Sequence, residues 1–267
     1  MAKLGVIGCG NMGGAMVRMI VKSGILKAEE ILAADISGEQ RARLNKDTGV
    51  SVTDSNIQAA SASCLLLAVK PQFLREVCDG IRGHLGKDTL VISIVAGYTL
   101  AMLKEALGQP DAHIIRVMPN TPAMVGEGVL AMCRGEKVAD EEWAFAKGLL
   151  SCMGLVEEMK ENLMDAVTGL SGSSPAFVFL FMEALADAGV RAGLPRAAAQ
   201  RFAAQVLVGS GKLAQETGLH PGQLKDMVTS PAGTTIEGVA ALEKNGFRYA
   251  VMEAVDAAVQ KSKNLGK

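Results

Sequence analysis

The sequence predicts an α/β protein: an N-terminal Rossmann-like, doubly wound sheet followed by an all-helical C-terminal domain. Three observations carry that expectation. Lys3 to Gly14 reads as a short buried strand turning on glycines into a helix, with Gly8, Gly10 and Gly13 at the G-x-G-x-x-G spacing. Short apolar strands then alternate with helices as far as Val156, the rhythm of a sheet covered on both faces. From Asn162 onward strand-like segments give way to helical ones. The domain boundary therefore falls near residue 160, with a dinucleotide-binding domain over 1–160 and a helical domain over 161–267.

In the fingerprint, the first glycine permits the tight turn, the second lets backbone N–H groups approach a pyrophosphate, and the third lets helix pack on strand. The helix that follows carries Met16, Ile20 and Val21 on one side, and a second strand, Ile31 to Ala34, ends at Asp35. That acid lies about 22 residues past Gly13, where the fingerprint places a ribose-binding carboxylate. A polar helix follows over about Glu39 to Asn45, then a short strand near Val50 to Val52 and a turn at Thr53 to Asn56. Asn56 either caps the next helix or contacts a cofactor. Cys64 to Val69 is continuously apolar, as for a parallel strand buried on both faces, and Pro71 suits the first position of the next helix. Strands at Leu90 to Ile94 and His113 to Val117 lead into Val95-Ala96-Gly97 and Met118-Pro119-Asn120-Thr121-Pro122. Strand ends of an open parallel sheet are where ligands bind.

Helices in the second domain span Asp165 to Leu170, Ala176 to Ala192, Arg196 to Glu216, Gly222 to Val228, Thr235 to Lys244 and Arg248 to Lys263. Gly/Pro breaks separate them, the first at Gly172 to Pro175. So many Ala, Val and Leu side chains exceed what a small bundle buries on itself, and the domain reads as a dimerisation unit.

Hydrophobic residues make up 49% of the 267 and charged residues 21%, with net charge −1, so no basic face argues for nucleic acid or anionic lipid. Cys9, Cys64, Cys78, Cys133 and Cys152 form no C-x-x-C pair and lie in apolar segments, as reduced thiols of a cytoplasmic protein would. The first residues lead directly into a strand, and the longest apolar run, Ala176 to Met182, stops at Glu183. Neither a secreted nor a membrane-spanning chain is expected.

None of the three histidines, His84, His113 and His220, is placed like a general base, and the sequence holds no Ser-His-Asp arrangement or metal-ligand motif. Gly211-Lys212 resembles a fragment of a phosphate loop, but Leu213 replaces the required Ser/Thr, leaving Lys212 as a surface residue. Ser230-Pro231-Ala232-Gly233-Thr234-Thr235 precedes a helix. Successive N–H groups there could bind a carboxylate beside the Thr235 hydroxyl, or Thr234 could simply cap the helix. Spacing alone leaves the two readings even.

The run Asp165 to Pro175 (DAVTGLSGSSP), Gly193-Leu-Pro195, His220 to Lys225 (HPGQLK) and Ser230 to Ile236 (SPAGTTI) closely resembles pyrroline-5-carboxylate reductase, the last enzyme of proline biosynthesis. The similarity spans the chain, including Ala68-Val69-Lys70-Pro71, Ala96-Gly97 and Met118 to Pro122. It implies a two-domain subunit, a homodimer or larger assembly joined through C-terminal helices, and hydride transfer from NADPH or NADH to the cyclic imine 1-pyrroline-5-carboxylate, giving L-proline. By motif, Gly8, Cys9, Gly10, Asn11, Met12, Gly13, Asn56, Ala68, Val69, Lys70, Pro71, Ala96 and Asn120 would contact the cofactor. Gly233, Thr234 and Thr235 would hold the substrate carboxylate, with the Thr235 hydroxyl acting at the imine nitrogen. Met227 stands where some relatives carry asparagine. Asp35 favours a free ribose 2′-hydroxyl, whereas Arg41 and Arg43 are near enough in sequence to meet a 2′-phosphate, so both NADP and NAD are expected.

A site without a catalytic histidine suits this chemistry, because a protonated imine is already electrophilic and the protein need only orient, exclude water and hydrogen-bond. A 3-hydroxyacid dehydrogenase of similar layout would need a lysine on the first long helix of the second domain, and Ala176 to Ala192 has none. A non-enzymatic cofactor-sensing protein is the third alternative.

Overall fold

The computed structural model describes residues 2–264, so the last three residues of the expected helical domain lie outside the described residues. Its first unit alternates β1 (Leu4–Ile7), α1 (Asn11–Ser23), β2 (Ile31–Ala34), α2 (Gly38–Thr48), β3 (Ser51–Thr53), α3 (Asn56–Ala60), β4 (Cys64–Leu67) and α4 (Leu74–Ile81). It continues through β5 (Leu90–Ser93), α5 (Leu100–Leu107), β6 (His113–Met118), β7 (Gly128–Arg134), α6 (Asp140–Leu150), β8 (Gly154–Glu158) and α7 (Met164–Val167). The eight strands form one sheet in the order β3-β2-β1-β4-β5-β6-β7-β8. After β1 the chain builds outward to β3, then crosses back to β4, so the strand order reverses between β1 and β4.

The four-residue strands are apolar but for Ser93 at the end of β5, because both faces are covered. On β4, Cys64 and Leu66 join Leu4, Val6, Met16 and Ile20 in one core, while Leu65 and Leu67 join Ile7, Leu74, Ile81 and Leu103 in the other. The period-two alternation of a strand thus feeds two helical layers.

Several expectations change. Neighbouring strands from β3 to β6 pair in parallel, but β7 runs antiparallel to β6. The connection from Met118 to Gly128 is too short for a crossover helix, so the chain must double back. It does so through a single-turn 3-10 segment, Thr121–Val125. β4 ends at Leu67, two residues before Val69. The α3 cap is Ser55, whose hydroxyl accepts the Gln58 N–H at 3.4 Å, and Asn56 is the first helical residue. The anticipated break at Gly172 to Pro175 is a π-helical turn, Thr168–Gly172, followed at once by α8.

Residues 161–173 pack with the sheet. Met164 joins Ala131 and Cys133 in a small core, and the Ser262 hydroxyl donates to Asp165 at 2.6 Å. The chain divides into compact units after Ser173, and the final turns from Ala258 group with the first unit. The second unit, Ser174–Ala257, holds α8 (Ser174–Arg191), α9 (Arg196–Thr217), α10 (Pro221–Met227), α11 (Thr234–Lys244) and most of α12 (Phe247–Lys263). Among its described residues only Ala186, Ala199 and Ala203 are buried, where α8 and α9 pack closely. Phe179, Leu180, Phe202, Met227 and Tyr249 are each more than half exposed. The stretch Glu161–Arg191 is long and apolar enough to cross a membrane by length and composition, and 11% of its apolar window is buried.

Glu161 ties three elements of the first unit together. Its Oε1 accepts the Leu100 N–H at the start of α5 (2.6 Å) and lies 3.4 Å from the guanidinium of Arg116, which is buried on β6. Removing the carboxylate leaves both donors unanswered. Glu161→Ala is expected to cost about 2 kcal/mol in urea unfolding, and Glu161→Gln, which keeps an acceptor, less.

Candidate active site

The turn after β1 passes so close to the end of β4 that side chains cannot fit. Gly8 has φ of 102°, and a Cβ there would lie 2.6 Å from the Ala68 carbonyl oxygen. A Cβ on Gly13 would overlap the Gly8 carbonyl oxygen and sit 2.8 Å from the Ala68 Cβ. Gly10 differs: nothing lies within 4 Å of the position its Cβ would take. It is the N-cap of α1 and supplies no side-chain cap, so the N–H groups of Asn11, Met12 and Gly13 have no acceptor among the described residues. A helix start with open space before it and unanswered donors is an anion site.

A cavity of about 620 Å³ opens there, lined by Gly8, Gly10, Asp35, Asn56, Ala68, Val69 and Lys70, all expected from sequence. Asp35 is fastened at its rim. Its Oδ2 accepts the Cys9 N–H at 2.6 Å and its Oδ1 the Ser37 N–H at 2.8 Å. Cys9, Asn11, Met12, Gly13 and Pro71 flank the cavity in sequence without lining it, and Ala96 also falls outside the lining. Asn120 is bound up elsewhere: Oδ1 accepts the Val129 N–H at 2.9 Å and Nδ2 donates to the Ser171 carbonyl at 3.1 Å. It pins β7 to the turn after β6 instead of facing the cavity.

The sequence reading missed Ile7, Ile36, Ser37, Phe73, Glu76, Val77 and Gly80, which complete the lining. The last four recur at i, i+3, i+4 and i+7, one face of the helix after β4, and that spacing was the available signal. Ile36 and Phe73 are exposed apolar side chains beside the opening, suited to cover an adenine ring.

Burial raises the pKa of all five thiols. Burial, then the neighbouring Asp35 carboxylate, pushes Cys9 up to about 12, and burial does the same to Cys64. His113 Nδ1 sits 2.8 Å from Glu142, and the His220 side chain accepts the Gly222 N–H at 3.1 Å as the cap of α10, so both have structural partners. No cluster of three or more metal-ligating groups occurs among the described residues.

In the second unit, the loop before α11 holds Ala232 at φ 55°, the sole non-glycine residue at positive φ among those described. Such a conformation costs about 1 kcal/mol and collects at functional sites. The N-cap is Gly233, with no side-chain cap, so Thr234 does not cap the helix. Thr234 and Thr235 are its first two residues, both exposed, and neither hydroxyl has a hydrogen-bond partner among the described residues. The Gly233 N–H is already spent on the Ser230 carbonyl at 3.1 Å, which corrects its expected role as a donor to substrate. Its lack of a side chain is what counts, since a Cβ would overlap the Ser230 hydroxyl. The N–H groups of Thr234 and Thr235 have no acceptor among the described residues.

The pyrroline-5-carboxylate reductase dimerisation family model matches residues 161–265, and a coenzyme F420-dependent NADP oxidoreductase model matches residues 3–97. A pyrroline-5-carboxylate reductase of Synechocystis sp. is 50% identical over 266 residues, covering 99% of this chain and 98% of that protein. The Escherichia coli enzyme of that name is 46% identical with the same coverage. The crystal structure of Plasmodium falciparum pyrroline carboxylate reductase with NADP bound superposes with a TM-score of 0.90 at 36% identity, covering 100% of this chain and 98% of that one.

Because the space beyond Gly10 is open, Gly10→Val should fold normally and fill the room a pyrophosphate needs. Calorimetric titration with NADH or NADPH is expected to show affinity lost by at least about a hundredfold, with an unchanged thermal melt. Retained affinity would move the nucleotide elsewhere.

Proposed function

The chain belongs to the pyrroline-5-carboxylate reductase family, and from that premise we propose how its residues divide the work. The reaction is reduction of 1-pyrroline-5-carboxylate to L-proline by NAD(P)H, the closing step of proline biosynthesis. The observation that carries the assignment of parts is the pair of helix starts, α1 and α11, each with unanswered N–H groups and no side-chain cap.

The cavity over Gly8 and Gly10 fits a dinucleotide: donors for the pyrophosphate at α1, a carboxylate for the ribose at Asp35, and apolar cover at Ile36 and Phe73. Asn56 and Lys70, which add polar groups to the lining, would complete the hold. Bound there, the cofactor supplies a hydride. The protein's remaining tasks concern the imine.

The N–H groups of Thr234 and Thr235, at the positive end of the α11 dipole, hold the substrate carboxylate. The Thr235 hydroxyl shares a hydrogen bond with the ring nitrogen, keeping the C=N bond polarised while the nitrogen retains its proton and the carbon gains the hydride. The strained Ala232 turn sets the angle at which these donors face the ring. A 3-hydroxyacid dehydrogenase would need a lysine on α8, and Ser174–Arg191 contains none.

The helical unit, from about residue 161 by sequence, pairs with a second copy of the chain. Its exposed Phe179, Leu180, Phe202 and Tyr249 support that reading. Glu183 and the Asp187–Arg196 ion pair put charge on the α8–α9 surface, which favours a protein partner over lipid. Five free thiols support a cytoplasmic setting.

Thr235→Val keeps the shape of the side chain but leaves the ring nitrogen unpaired, and kcat/KM is expected to fall by about ten- to a hundredfold, the equivalent of 1–3 kcal/mol. Thr235→Ser should recover most of it, and cofactor affinity should not change. A wild-type rate in the valine variant would place the proton-holding group elsewhere. Light scattering on the eluting full chain should give a dimer or a larger assembly, and an active monomer would refute the pairing.

A further inference from the structure

The Asp35 corner of the cavity carries more than a general preference for ribose. Its carboxylate is held from both sides, Oδ2 by the Cys9 N–H (2.6 Å) and Oδ1 by the Ser37 N–H (2.8 Å). Each oxygen keeps a further lone pair for an incoming hydroxyl. The group therefore stands fixed at the rim as an acceptor, with no freedom to swing away from a phosphate.

The two arginines close in sequence lie outside the lining. Arg41 spends Nη1 on the backbone carbonyl of Asp35 itself, at 2.6 Å, and does not line the cavity. Arg43 is exposed and lies outside the lining. The Ser37 N–H, at the start of α2 where a 2′-phosphate would look for donors, is taken by Asp35, and the Ser37 hydroxyl accepts the Gln40 N–H (3.3 Å). Charged residues in the lining are Asp35, Glu76 and Lys70, and Lys70 follows β4.

We propose that Asp35 makes this chain selective for NADH over NADPH, accepting hydrogen bonds from the ribose 2′- and 3′-hydroxyls and repelling a 2′-phosphate, with the Arg41 guanidinium anchored on the Asp35 backbone carbonyl outside the lining. This rests on the reading of the cavity as the dinucleotide site. A phosphate in contact with a fixed carboxylate suffers like-charge repulsion on top of its own desolvation, and the ribose hydroxyls suffer neither.

The test is calorimetric binding of NADH and NADPH to the full-length protein without substrate, supported by thermal-melt shifts. Wild type should bind NADH at least about tenfold more tightly than NADPH. Asp35→Asn and Asp35→Ser should each shrink that ratio by about tenfold or more, chiefly by strengthening NADPH binding. Should either variant unfold, adenosine 5′-monophosphate against adenosine 2′,5′-bisphosphate on wild type reads the same discrimination without a substitution. Equal or tighter NADPH binding by wild type overturns the proposal while leaving the cavity assignment intact. So does an equal loss of both cofactors in the two variants, which would make Asp35 only a clamp on the glycine turn. A wild-type protein that binds neither dinucleotide overturns the cavity assignment and the proposal together.

Discussion

Everything in the sheet unit depends on one close approach, that of the turn after β1 to the end of β4. Backbone atoms there are near enough that Cβ atoms on Gly8 or Gly13 would overlap their neighbours. The contact sets the α1 N-terminus directly over the point where strand order reverses, and an open α/β sheet has its natural crevice at such a point. Three features follow from it: the cavity, the unanswered N–H groups before α1, and the empty space in front of Gly10. Two glycines are required by contact within the protein. No contact within the protein requires the third.

The turn is secured from outside as well as by packing. Asp35 reaches from the end of β2 to the Cys9 backbone, joining the outer strands to the glycine loop through a hydrogen bond between a carboxylate and an N–H, stronger than a neutral pair. Glu161 plays a comparable part on the far side of the sheet, between the start of α5 and Arg116 on β6. Both are acids that join segments distant in sequence. Each is kept by donors far along the chain.

The helical unit solves a different problem. Alanines at Ala186, Ala199 and Ala203 let α8 and α9 approach closely, but small side chains bury little apolar area, and the larger ones point outward. A unit of this kind has more apolar surface to bury than it buries on itself. Without a side-chain cap, and with Ala232 held at positive φ, the start of α11 is less stable than it could be. The Thr234 and Thr235 hydroxyls there have no partner among the described residues.

What the sequence determined by itself was whatever repeats over short distances. Apolar runs of four gave the parallel strands, glycine spacing gave the turn, and the 3.6-residue period with Gly/Pro breaks gave α8 to α12 nearly to the residue. The family motifs at Asp165 to Pro175 and Ser230 to Ile236 pointed to the chemistry. Tertiary structure alone decided the direction of β7, the inclusion of residues 161–173 with the sheet, the fastening of Asp35 to Cys9, the engagement of Asn120 with Val129 and Ser171, and the loss of the Gly233 N–H to Ser230. It also brought Phe73, Val77 and Gly80 to the cavity wall. The reason is physical. Periodicity and turn chemistry are properties of neighbouring residues, whereas a polar group's partner depends on which donors and acceptors the packed chain brings within about 3 Å, and residues far apart in sequence supply most of them.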